Sequence, residues 1–235
     1  MNILATGPQP RFYRPDSRLR RPPILDNFEH AVRANRSVRI QGWYQSSLNA
    51  ASFPFFSSLE RKLMLQLDIS EGVKSYQIQP KSIQYSISGV AASYTADALV
   101  HRYVGASYYI EVKALAHLHD PEVARKLAAV AEELASRNTP LRIVTDAYLA
   151  TEPRQSNIRQ LQLYRSVEPD LEHAYRVDTL LAQSATATIG TLAALTNDLA
   201  AGRESVYALL LRRHLVTNLL MPLGDHSVVR HTHHS

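Results

Sequence analysis

The reading turns on YTADALVHRYVGASYYIEVK, residues 94–113. It holds Asp97 and then, after a turn signal at Val104-Gly105, Glu111 and Lys113. Side chains alternate between the faces of a strand. Glu111 and Lys113 therefore share one face, while Tyr108, Ile110 and Val112 form an apolar face able to pack on a core. If the chain reverses near Val104, Asp97 falls opposite Glu111, and two carboxylates meet on paired strands.

Close carboxylates repel, and their removal from water is costly. A divalent cation such as Mg²⁺ reverses that cost, because it prefers carboxylate oxygens plus retained water. Such an ion polarises a phosphodiester oxygen and acidifies bound water, and a lysine two residues on can orient that water and offset developing charge. The set points to metal-dependent phosphodiester hydrolysis. Spacing alone is loose, and a solvated strand face with an internal ion pair also produces Glu-x-Lys.

Outward from this stretch the pattern is α/β. Strands are expected at residues 37–45, 74–78, 82–87, 92–100, 107–113 and 141–145, the last buried on both faces. Residues 47–56 read as irregular. A helix is expected over 57–67, with Leu59, Leu63 and Leu67 on one face, and a second over 121–137. Asp120 can cap the second, Pro121 suits its first position and Thr139-Pro140 stops it. Ser57 and Glu60 match a capping box, which gives Glu60 a structural role beside any catalytic one. These elements make a mixed sheet flanked by helices.

Residues 152–235 are mainly helical. Helices are expected from about 169 to 180, from 188 to 201 with Gly202 just past its end, and from 203 to 214. A hairpin follows around 216–221 and 227–230. Two helices and a hairpin give the outline of a winged helix. Arg212, Arg213 and His214 read either as a phosphate-facing cluster or as the solvated side of the last helix.

Residues 1–36 read as a basic, proline-rich tail, carrying Arg11, Arg14, Arg18, Arg20 and Arg21 among five prolines. These arginines contribute much of the formal charge of +5, which favours an anionic partner. No apolar run reaches the roughly 18–20 residues of a membrane helix. With no cysteine in the chain, disulfides and thiolate sites are excluded, and a cytoplasmic location fits. No phosphate-binding glycine loop is present, which argues against ATP hydrolysis. His117 and His119 read as loop residues. His231, His233 and His234 could chelate a transition metal adventitiously. Trp43 and Tyr44 are expected to anchor the early strand in the core.

Five motifs in order then resemble one family: RIQGWYQS (39–46), SSLERKL (57–63), QIQP (77–80), YTADALV (94–100) and IEVK (110–113), with RIVTD (142–146) matching a later strand. Together they resemble the N-terminal domain of TnsA-type transposon endonucleases, of the PD-(D/E)xK type. The family is similar over about residues 37–150. It implies a restriction-endonuclease-like fold, with residues 151–235 as a helical domain for partner or DNA binding. Glu60 would be the helix carboxylate, Asp97 the central metal ligand, Glu111 the second ligand and Lys113 the catalytic lysine. Mg²⁺ would be the cofactor, with Mn²⁺ as a substitute. Gln79 would support the site. Ala96 departs from the proline often found before the family's aspartate. The implied setting is a heteromeric transposase in the bacterial cytoplasm, associated with the nucleoid. This chain would cut the 5′ ends of a transposon in double-stranded DNA, beside a DDE-type subunit, TnsB, and an AAA+ ATPase, TnsC. A stand-alone restriction or defence nuclease and a vestigial DNA-binding subunit are the alternatives.

Overall fold

A computed structural model describes residues 40–232. The proposed tail, the start of the expected first strand, and His233 and His234 lie outside the described residues. The chain is α/β, with a mixed sheet flanked by helices. It forms two compact units. One comprises the described residues up to Asp68 together with Val73–Leu149; the other gathers Ile69–Gly72 and the chain from Ala150. Among the described residues no helix is long and apolar enough to cross a membrane.

The first unit opens with a hairpin of β1 (Gly42–Ser46) and β2 (Ala51–Phe55), paired from Gly42↔Phe55 to Ser46↔Ala51. The expected irregular stretch is thus largely a strand. Pro54 is tolerated because, among the described residues, β2 pairs with β1 alone and need not supply an N–H to another neighbour. Helix α1 (Ser58–Asp68) follows. Its last two turns, from Leu63 to Asp68, are buried.

Asp68 closes that helix and is itself buried. Its carboxylate accepts from the hydroxyls of Tyr44 (2.8 Å), Tyr76 (2.7 Å), Ser46 (2.7 Å) and Ser47 (3.1 Å), and from the Ser47 N–H (2.8 Å). A buried charge is stable only when paired or fully hydrogen-bonded. This one is, and it ties α1 to β1 and to the next strand.

The central sheet has four strands, in the order β3 (Val73–Ile78), β6 (Ala98–Arg102), β7 (Tyr108–Lys113) and β8 (Leu141–Thr145). The first three are antiparallel and β7/β8 is parallel. Between β3 and β6 stands a separate hairpin, β4 (Ile83–Ile87) with β5 (Val90–Tyr94). Its tip, Ser88-Gly89, has φ of 53° and 79°, the two positive values a tight hairpin turn requires. The single strand expected over 92–100 is therefore two strands in two sheets.

Helix α2 (Pro121–Ser136) makes the crossover that a parallel pair requires. Asp120 caps it, accepting from the Glu122 N–H at 2.9 Å. Leu127, Val130 and Leu134 turn inward onto Ile83, Tyr85 and Tyr94. β8 is not buried on both faces: Val144 alone of its five residues is fully buried, because β8 is the edge of the sheet. A short helix, α3 (Asp146–Leu149), ends the unit.

The second unit contains α4 (Arg154–Gln162), α5 (Leu171–Ser184), β9 (Thr186–Thr188), α6 (Ile189–Ala193), α7 (Leu199–Leu211), β10 (Leu215–Thr217) and β11 (Val228–His231). The strands form an antiparallel sheet in the order β10-β11-β9. The core packs Val177 and Leu181 of α5 and Ile189 and Leu192 of α6 against Val206 and Leu210 of α7. The helix expected over 188–201 is broken: α6 stops at Ala193, and Asp198 caps a new helix through the N–H groups of Ala200 and Ala201. Gly202 is therefore not a helix terminator. It lies in the first turns of α7, where a Cβ would stand 2.1 Å from the Ala193 carbonyl oxygen. Glycine lets the two helices meet there.

Candidate active site

β6 and β7 pair from Val100↔Tyr108 to Ala98↔Ile110. One step further along the same register, Asp97 faces Glu111. The break after β5 makes this possible. Asp97 leaves the hairpin and anchors to the neighbouring strand instead, its Oδ2 accepting the Val112 N–H at 2.6 Å. Its own carbonyl accepts the Gln79 N–H at 3.0 Å. Gln79, at φ 45°, is thus tied to Asp97 through its backbone.

The expected strand parity is present. Tyr108, Ile110 and Val112 are buried on one face. Glu111 is on the other, where it is buried as well, its side chain 5% exposed. Lys113 Nζ lies 2.7 Å from Glu111 Oε1 and is 34% exposed. One end of the ion pair is therefore desolvated and the other reaches solvent.

The Asp97 pKa is pushed up to about 7. Burial contributes most, then the charge of Glu111, with a further push from Glu60; the Val112 N–H and Lys113 oppose it. These are the marks of a carboxylate pair short of positive charge. Tyr94 adds a neutral hydroxyl beside the pair, and burial together with the Glu111 charge raises its pKa. Lys126 Nζ sits 5.1 Å from the centre of its ring.

Glu60 takes part in a variant of the capping box, its carboxylate accepting the N–H of Phe56, one residue before the cap. The Glu60 N–H donates to Ser57 Oγ (3.1 Å), Ser57 Oγ–H donates to Glu60 Oε1 (2.8 Å), and the Phe56 N–H donates to Oε2 (2.9 Å). Its charge is felt at Asp97, but its carboxylate is held by the cap. Glu60, Asp97 and Glu111 do not converge as three ligands. Among the described residues, one group of three acidic or imidazole side chains brings its ligand atoms within 4.8 Å of one another, and it is Asp178, His214 and His231 in the second unit.

The other sequence candidates fall elsewhere. His117 and His119 occupy a 3₁₀ turn, Leu115–His119, just after β7. Asp146, at the end of β8, accepts the Leu115 N–H at 2.8 Å, which lowers its pKa. Tyr44 is buried, whereas Trp43 is 56% exposed and does not anchor the core. The cluster at 212–214 is neither a free basic face nor a solvated one: Arg212 pairs with Glu168 at 2.8 Å, and His214 is buried. Sequence reasoning missed Asp68, Tyr94 and Asp178. Tyr94 was within reach, since the Ser88-Gly89 turn sets it opposite Ile83 on the buried face of the hairpin. No protein-family model matches this chain, and no curated protein matches it.

Proposed function

We propose that this chain is a metal-dependent DNA endonuclease with a restriction-endonuclease-like first unit, acting as the TnsA-type subunit of a heteromeric transposase. The observation that carries the reading is the placement of Asp97 opposite Glu111, with Lys113 on the same face. The donor set fits a hard divalent ion, Mg²⁺ or Mn²⁺: it is all oxygen, and burial and the Glu111 charge together raise the cost of ionising Asp97. Asp97 and Glu111 would hold the ion, with Glu60 completing the acidic surroundings. Once bound, it would polarise the scissile phosphodiester and acidify a water.

The chain's own residues supply the rest. Val112 fixes the Asp97 carboxylate through its N–H, so one oxygen is committed to the backbone and the other is left for the site. Lys113 carries its charge at the solvent edge of the pair, where a phosphate would arrive. There it can orient the attacking water and offset charge on the phosphate oxygens.

The second unit runs helix, strand, helix, helix, strand, strand from α5 to β11, the element order of a winged helix. Its α7 is buried from Ser205 to Leu211, unlike a helix that reads bases in a groove. We therefore assign this unit to protein partners, the DDE-type TnsB and the AAA+ TnsC, with the bacterial cytoplasm as the setting.

Reconstitution with such partners and labelled double-stranded transposon ends tests the reading. Wild type cuts the 5′ strands and Asp97→Ala does not, while 3′ processing by the partner persists. Robust cutting by the purified chain alone identifies a stand-alone nuclease. Unimpaired 5′ cutting by Asp97→Ala sinks the assignment.

A further inference from the structure

We propose that Asp178, His214 and His231 form a second metal site, for a borderline transition ion of the Zn²⁺ class, which cross-links α5 to the β10–β11 hairpin. The site is independent of the nuclease reading and lies wholly in the second unit.

Three different elements deliver the ligands. Asp178 projects from α5, next to Val177 in the core. His214 sits in the turn that closes α7. There Arg213 adopts φ 60°, and the His214 N–H returns to the Leu209 carbonyl at 2.9 Å, a glycine-type helix ending made without glycine. The His214 carbonyl also accepts the Thr232 N–H at 3.3 Å, so its backbone is held from both sides. His231 ends β11 and pairs with Leu215, the residue after His214. The two imidazole rings meet edge to face, 5.5 Å between centroids.

Both imidazoles aim the same nitrogen at the same oxygen. His214 Nε2 lies 2.5 Å from Asp178 Oδ1, and His231 Nε2 lies 3.6 Å from it. Around a tetrahedral ion with bonds near 2.0–2.1 Å, ligand atoms stand roughly 3.3 Å apart. The observed separations fall on either side of that value, so small side-chain rotations suffice. A proton bridges His214 to Asp178 but does not account for His231, which is beyond hydrogen-bond distance. A cation accounts for both.

Two imidazoles and one carboxylate suit Zn²⁺ and its neighbours better than Mg²⁺ or Ca²⁺, which prefer oxygen throughout. Asp178 and His231 are partly exposed, so a water or further ligand can complete the shell.

The test uses the full-length untagged chain, stripped with a chelator and titrated with Zn²⁺ and with Co²⁺ as a spectroscopic probe. One equivalent should bind, Co²⁺ should show tetrahedral-type d–d bands, and in an Asp97→Asn background, which removes the Mg²⁺ response of the first unit, the Tm should rise with Zn²⁺ but not with equal Mg²⁺. Asp178→Asn and His231→Ala should each weaken binding at least about tenfold, whereas a His233→Ala, His234→Ala double variant should retain the one-equivalent site. The proposal is overturned if the wild-type chain takes up no Zn²⁺. It is equally overturned if the tail double variant abolishes uptake while Asp178→Asn keeps it, which would mean chelation by the tail alone. Asp178 and His231 lie at the surface end of the cluster, so their variants test binding even if His214 variants fail to fold.

Discussion

Asp97 and Glu111 face each other one residue beyond the last paired positions of β6 and β7, and the charge of Glu111 raises the pKa of Asp97. The strand ladder delivers the carboxylate pair; no loop has to fold over to complete it.

The first consequence is a dependence of stability on pH. The folded-state pKa of Asp97, about 7, lies above its ordinary value of 3.8. Between those values the native state holds a proton that the unfolded chain releases. Without metal, stability therefore falls as pH rises through this window, by up to about 1.4 kcal/mol per pH unit. Mg²⁺ should recover the loss at pH 8, and Asp97→Asn should remove both the trend and the Mg²⁺ response. Melting curves from pH 4 to 8, with and without Mg²⁺, decide it. A flat wild-type profile would mean that the pair is not strained.

Lys113→Ala should lower 5′-strand cleavage by roughly 100-fold or more, with little change in DNA affinity. It also strips the buried Glu111 of its ion-pair partner. The variant should therefore bind Mg²⁺ no less tightly than wild type while cutting poorly. Single-turnover rates set against metal titration separate the two effects.

Glu60 tests whether one carboxylate serves two tasks. Glu60→Ala loses the capping box and should cost about 1 kcal/mol by urea denaturation. Glu60→Gln retains an acceptor for the cap and should be close to wild type in stability. If the charge at Glu60 matters to the site, both variants lose cleavage. Full activity in the glutamine variant confines Glu60 to its structural role.

Asp68→Asn should destabilise the first unit by about 3 kcal/mol. The amide replaces an acceptor oxygen with a donor, in a pocket where every neighbour already donates. Asp68→Asn that unfolds at the wild-type urea midpoint would show that the cluster carries little weight.

Gly202→Ala should destabilise the second unit by about 2 kcal/mol or more, since the added methyl would meet the Ala193 backbone. Calorimetry of the full chain should show the change in the transition belonging to that unit.

Much of this was legible from residue order, for reasons specific to each element. Alternation alone put Glu111 and Lys113 on one face, and the turn at Val104-Gly105 set Asp97 against Glu111. Asp120-Pro121 marked α2 because the cap chemistry is local. Where reading failed, the deciding contact was distant in sequence. Residues 92–98 alternate apolar and polar straight across the break, and nothing local says that the chain changes sheets at Asp97. Gly202 looks the same whether it ends a helix or admits a neighbouring backbone. Residues 47–56 read as irregular, yet hold a strand that among the described residues has one neighbour to satisfy, so Pro54 is tolerated. Asp178, His214 and His231 belong to three elements, and their spacing matches no metal motif.

Among the described residues the β4–β5 hairpin pairs only with itself, and its Ser88-Gly89 tip is exposed. Length added there should cost mainly loop entropy, which grows slowly with residue number. The register that holds Asp97 against Glu111 belongs to β6 and β7 and would not be altered. The hairpin tip is thus a natural port, a place where a fluorophore, an epitope or a tether could be installed to follow the protein without retuning its chemistry.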